Sequence, residues 1–177
     1  MVTLKGVIDM WDEKYPDFPI ISVIGREEYK KQVKSSSNGK ITELISQDGK
    51  IIEFKKDGIF KNRYAKTSLS KTISDDKAHA ICYTFVEDND KFTVLFEKLP
   101  EYNGADTNKL YELCNQFKDK KIKGYSLSLW QDSKGKGVVK LMLDIPKKNK
   151  VVTEDFIVDC MKELISETQE SLSSICK

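Results

Sequence analysis

The chain predicts an α+β protein, an antiparallel sheet packed by a central helix and a long C-terminal amphipathic helix. Three stretches carry that prediction. Val139, Leu141, Leu143 and Ile145 recur every second residue, which places them on one face of a half-buried strand. Phe156, Ile157, Cys160, Met161, Leu164, Ile165, Thr168, Leu172 and Ile175 keep helical spacing over roughly twenty residues, beyond the average helix of about 11–12. Leu110, Leu113, Cys114 and Phe117 share one face of a shorter helix between them and the preceding strands.

The N-terminal elements follow in order. Leu4, Val7, Ile8 and Trp11 fall at i, i+3, i+4 and i+7 of a short amphipathic helix, although Gly6 opposes it and leaves a strand open. Pro16 and Pro19 force an extended connection into the β-prone run 20–24. Residues 26–34 read as helix, with Glu27 and Lys31 spaced for an i,i+4 pair. Ser35 to Gly39 is a flexible break. In the block that follows, Asp48-Gly49 and Asp57-Gly58 mark hairpin turns. The polar stretch 61–78 reads as a long irregular loop.

Two strands come next, His79 to Val86 and Lys91 to Leu99, joined by the acidic turn 87–90 and closed by Pro100. Asp106 or Thr107 caps the central helix. After Gly124, the run from Tyr125 to Trp130 reads as one alternating strand. Tyr125, Leu127 and Leu129 lie on one side of it, and Ser126, Ser128 and Trp130 on the other. A loop with Gly135 and Gly137 returns the chain into the strand 138–145, which Pro146 stops. Thr153 caps the last helix, and Glu154 and Asp155 place negative charge at its positive end.

At 177 residues the chain fits a single α+β domain, 1–177. Within it 1–39 is a candidate N-terminal appendage and 40–177 the sheet-and-helix core. Roughly two-thirds of the unfolded surface can be buried at this length, enough for an independent core. No apolar run approaches the roughly 20 residues a membrane-spanning helix needs. The N-terminus also lacks an uninterrupted signal-peptide core. A cytoplasmic protein without membrane association is expected.

The sequence assembles no catalytic constellation. His79 is the only histidine, and no nucleophile elbow or P-loop accompanies it. The pairs Glu27-Glu28, Asp75-Asp76 and Asp88/Asp90 do not qualify by themselves, since acid–base work needs carboxylates that converge across a cleft. The four cysteines, at 82, 114, 160 and 176, lack the close spacing of metal ligands. Cys82, Cys114 and Cys160 read as small core hydrophobes, and a reducing compartment suits the pattern. No cofactor and no metal are expected, and the protein reads as a non-enzyme.

Thirty basic against 28 acidic residues leave a net charge of +2, below the excess of a dedicated nucleic-acid binder. The lysines nevertheless cluster, at Lys118, Lys120, Lys121 and Lys123 and again at Lys147, Lys148 and Lys150. Two surfaces are candidates. One is a protein interface at Trp130 with Lys134, Lys136, Lys120, Lys121 and Lys123, since tryptophan is enriched at interfaces. The other binds single-stranded nucleic acid by stacking on Trp130, Phe92 and Phe96 beside Lys134 and Lys136.

The stretch 110–172 resembles the C-terminal half of the YbjN-like and type III secretion chaperone-like families. Leu113 and Asn115 stand where those families carry a Leu-x-x-Leu-Asn-like helix. Asp144-Ile145-Pro146 stands at the aliphatic strand end, and Thr153-Glu154 at the cap of the closing helix. The likeness covers roughly the last 100 residues and its motifs are generic. It implies a non-enzymatic dimer offering helix and sheet surfaces to a client or regulatory partner. The expected function is thus a protein-binding, regulatory or chaperone-like role, inhibition of a partner enzyme included. The single-stranded nucleic-acid binder is the alternative.

Overall fold

The computed structural model describes residues 2, 4–16, 20–25, 63–68, 81–88, 90–98, 106–131, 137–149 and 152–175. Its elements run α1 (Leu4–Lys14), β1 (Ile20–Gly25), β2 (Arg63–Ser68), β3 (Ile81–Glu87) and β4 (Lys91–Lys98). They continue with α2 (Thr107–Asn115), β5 (Lys121–Ile122), β6 (Tyr125–Ser126), β7 (Ser128–Gln131), β8 (Val139–Pro146) and α3 (Glu154–Ile175). Six strands form one antiparallel sheet in the order β1-β2-β3-β4-β8-β7, and β5 and β6 form a separate two-stranded ribbon.

Register sorts the strand residues into two faces. Tyr83, Phe96, Leu141 and Leu129 lie side by side across β3, β4, β8 and β7, and Phe85, Val94 and Leu143 form the next row. All but the half-buried Leu129, which packs against it, belong to one core cluster with Leu110 and Cys114 of α2 and Ile157, Cys160, Met161, Leu164, Ile165 and Leu172 of α3. The alternation of 139–145 and the helical stripe of 156–175 are thus spent on the same interior. Each large aliphatic side chain so buried contributes roughly 1.5–3 kcal/mol. Among them Tyr83 and Thr168 share a buried hydroxyl contact of 2.8 Å, and Thr168 Oγ1 also donates to Leu164 O at 2.6 Å. Among the described residues the helix face carries one buried cation. Lys98 Nζ donates to Gly137 O at 2.8 Å and Thr107 Oγ1 at 3.3 Å, tying the end of β4 to the starts of β8 and α2.

The capping expectations hold in detail. The Asp106 carboxylate accepts from the backbone of Asn108 and Lys109, at 2.9 and 3.1 Å, and Thr153 Oγ1 accepts from Phe156 N at 3.2 Å. At the N-terminus α1 is helical through Gly6. A Cβ there would meet Glu154 Oε1 at 2.9 Å, so the missing side chain lets α1 approach the start of α3. Leu4, Val7, Ile8 and Trp11 enter the common core, with Trp11 set edge-on to Phe85 at 5.5 Å.

Two sequence expectations are corrected. Arg63–Ser68 is not part of an irregular loop. It is β2, paired along its length with both β1 and β3. Backbone pairing on two sides fixes this strand, and the polar string RYAKTS gives no alternating apolar signal to reveal it. The run 125–130 is not one strand. It breaks at Leu127, whose N–H donates to Lys120 O and whose carbonyl accepts from Asp119 N, at 2.8 and 2.9 Å. Tyr125–Ser126 therefore folds back on Lys121–Ile122, and only Ser128–Gln131 joins the sheet. The predicted helix 26–34, the break 35–39, the Asp-Gly turns, His79, Lys134 and Lys136 lie outside the described residues.

Candidate interaction surface

Leu129 and Trp130 point to opposite faces of β7 because side chains alternate along a strand. Leu129 pairs with Leu141 and packs against the core. Trp130 pairs with Lys140 on the face away from the helices. Exposure on that face rises toward the sheet edge. Leu95 of β4 is buried, its β8 neighbour Met142 is half-buried, and Trp130 on β7 is 44% exposed. Trp130 is the exposed large hydrophobic side chain among the described residues. Lys140 Nζ stands 5.5 Å from the centre of its ring, a cation–π contact that holds the indole against β8 while leaving its outer side open.

The strand that carries Trp130 is the last of the sheet. A terminal strand presents a row of backbone donors and acceptors on its outer side, ready to accept another extended chain. Ser128–Gln131 contains no charged residue and no proline, the two devices that usually block such pairing.

The fold does not assemble the aromatic constellation expected for stacking nucleic acid. Phe92 and Phe96 are fully buried on the helix side of the sheet, opposite Trp130. Their ring faces are consumed by the core, and Phe96 meets Tyr83 edge-on at 5.7 Å. Lys120, Lys121 and Lys123 are exposed but lie away from Trp130, on the β5–β6 ribbon alongside α3. Lys120 Nζ bonds Glu167 of α3 at 2.5 Å. Lys147 is also committed, with Glu87 at 3.2 Å and the Phe92 ring at 5.1 Å.

The chemistry of the cysteines is muted by burial. Cys114 and Cys160 are buried and take part in no disulfide. Burial pushes the Cys160 thiol up to about 12; the Lys123 charge opposes this, while Glu163 and Asp159 reinforce it. Among the described residues no three His, Cys, Asp or Glu side chains converge as they would about a metal ion. No helix among them is long and apolar enough to cross a membrane.

Sequence reasoning found Trp130 but missed its partner Lys140. The signal was present: Lys140 is the polar position between Val139 and Leu141, on the face that alternation leaves open. Only the register of β7 on β8 shows that this lysine lies under the tryptophan. Searches against protein-family models, characterised proteins and solved structures find no match for this chain.

Proposed function

We propose that the protein is a non-catalytic binding protein, regulatory or chaperone-like, that receives a protein partner along β7 with Trp130 as the anchor. The observation that carries this reading is the exposed tryptophan on an uncharged terminal strand. Tryptophan concentrates binding energy at interfaces, and strand addition supplies backbone hydrogen bonds on one side of it. The resemblance to the YbjN-like and type III secretion chaperone-like families implies the same kind of role, with homodimerisation and inhibition of a partner enzyme as forms it takes. Buried cysteines outside any disulfide suit the cytoplasm as its place of work.

The test uses the full chain as bait in a cell extract, beside Trp130→Ser. A partner retained by the wild type is purified, and amide exchange of the chain is measured with and without it. The expected result is slowed exchange within 128–131 and at least roughly tenfold weaker binding by Trp130→Ser, as for an interface anchor. Equal affinity of the two proteins, or protection confined to other elements, overturns the reading. Capture of nucleic acid instead, with an affinity falling steeply as salt rises, would favour the alternative function.

A further inference from the structure

A second surface, away from Trp130, is built by bringing the two lysine clusters of the sequence together. The ribbon β5–β6 turns at Lys123 and Gly124, both with positive φ, 50° and 89°, the geometry of a two-residue type I′ hairpin. The ribbon runs along α3. Lys120 reaches Glu167 at one end, the Lys123 charge acts on the Cys160 thiol midway, and Tyr125 meets Phe156 edge-on at 5.9 Å at the other end. There Asn149 Nδ2 donates to Tyr125 Oη at 2.7 Å, which draws the turn 147–149 against the ribbon. Lys118, Lys121, Lys123 and Lys148 are all exposed. Among the described residues none of these four meets a carboxylate, in contrast to Lys120 and Lys147.

We propose that this surface, with Lys121 and Lys123 on the ribbon and Lys148 on the turn that Asn149 ties to Tyr125, docks an acidic polypeptide segment of a partner protein. Charge complementarity selects an anionic occupant. Two features favour a polypeptide over nucleic acid. Tyr125 and Phe156 are half-buried against each other, so neither ring stands bare for a base to stack on. Asp119, Glu163 and Glu167 also stand among the lysines, and would repel a continuous phosphate backbone. Discrete carboxylates of a polypeptide can be spaced to avoid them. Lys123 adds a further clue. Asparagine or glycine fits the first position of a type I′ turn better, so lysine here carries charge to the tip at some conformational cost.

The experiment measures binding of a short glutamate-rich peptide, its glutamine counterpart and a short single-stranded oligonucleotide to the full chain at low salt. The glutamate peptide is expected to bind and the glutamine peptide not. The triple variant Lys121→Glu/Lys123→Glu/Lys148→Glu should weaken binding by roughly tenfold or more, while Trp130→Ser leaves it unchanged. Lys123→Asn guards against a folding artefact: it suits the turn, so the melting temperature should hold or rise while the affinity falls. Equal binding of the two peptides, indifference to the reversals or to Lys123→Asn, or tighter binding of the oligonucleotide each overturns the proposal. Because Trp130 is intact in every lysine variant, such a failure leaves the reading of β7 standing.

Discussion

Gly6 lies inside α1, where glycine costs a helix about 1 kcal/mol relative to alanine. A methyl group in its place would stand 2.9 Å from Glu154 Oε1, 3.0 Å from Cγ and 3.3 Å from Cδ. Carbon does not approach side-chain atoms that closely, so Gly6→Ala requires Glu154 to swing aside. That displaces a carboxylate from the first turn of α3, where it is worth roughly 0.3–1 kcal/mol against the helix dipole. Gain and loss oppose each other, and Gly6→Ala alone should stabilise by no more than about 0.7 kcal/mol. In a Glu154→Ala background the obstacle is gone. Gly6→Ala should then stabilise by about 1 kcal/mol, or roughly 2–4 °C in melting temperature at this chain length. The four proteins of the cycle are compared by urea unfolding followed by far-ultraviolet circular dichroism. A coupling of about 0.3–1 kcal/mol is expected. If Gly6→Ala has the same effect in both backgrounds, Glu154 does not close the space above Gly6, and the close approach of α1 to α3 is wrongly explained.

Three other outcomes follow from the packing. Tyr83→Phe and Thr168→Val should each cost about 1 kcal/mol, and the double variant less than their sum, because both remove the same buried hydroxyl contact; strict additivity in thermal unfolding would show that the two hydroxyls do not interact. The Cys160 thiol is protonated in both folded and unfolded chains below its ordinary value of 9.0, but between there and about 12 only the unfolded chain ionises. Stability should therefore fall as pH rises through that window, and fall less in Cys160→Ala; parallel pH profiles would contradict the burial of this thiol. On β7, Leu129→Ser should lower unfolding free energy by about 1–2 kcal/mol, because its side chain packs against the core. No loss in urea unfolding would place the Leu129 side chain outside the core.

Elements with strong periodicity and their own caps could be read directly. The α3 stripe from Ile157 to Leu172 and the β8 alternation from Val139 to Ile145 needed no tertiary information, since each has one buried face and one exposed face. Asp106 and Thr153 announced helix starts because a cap is a local hydrogen bond within a few residues. What escaped is what depends on partners distant in sequence. β2 is a strand because β1 and β3 flank it, and a polar hexapeptide says nothing of its neighbours. The break at Leu127 depends on backbone groups at 119 and 120, so the alternation of 125–130 looked like a single strand. The same reason separates the lysines from the tryptophan: once the ribbon turns back along α3, residues 120–123 and 130 no longer share a surface.

That break also decides what the surface can do. Leu127 is buried and its backbone is held at both ends by Lys120 and Asp119, so the phase of β7 is set before the strand reaches β8. Shifting the phase by one residue would exchange the two faces, sending Trp130 into the core and Leu129 to the open side. A buried tryptophan would remove more apolar surface from water than a buried leucine. Burial alone therefore does not explain the arrangement found. Ile122 and Leu127 explain it: both fill the core at the ribbon, and a slip would pull Leu127 out of it. The ribbon thus fixes both surfaces at once, aiming Trp130 outward on one side of the sheet and carrying Lys121 and Lys123 along α3 on the other.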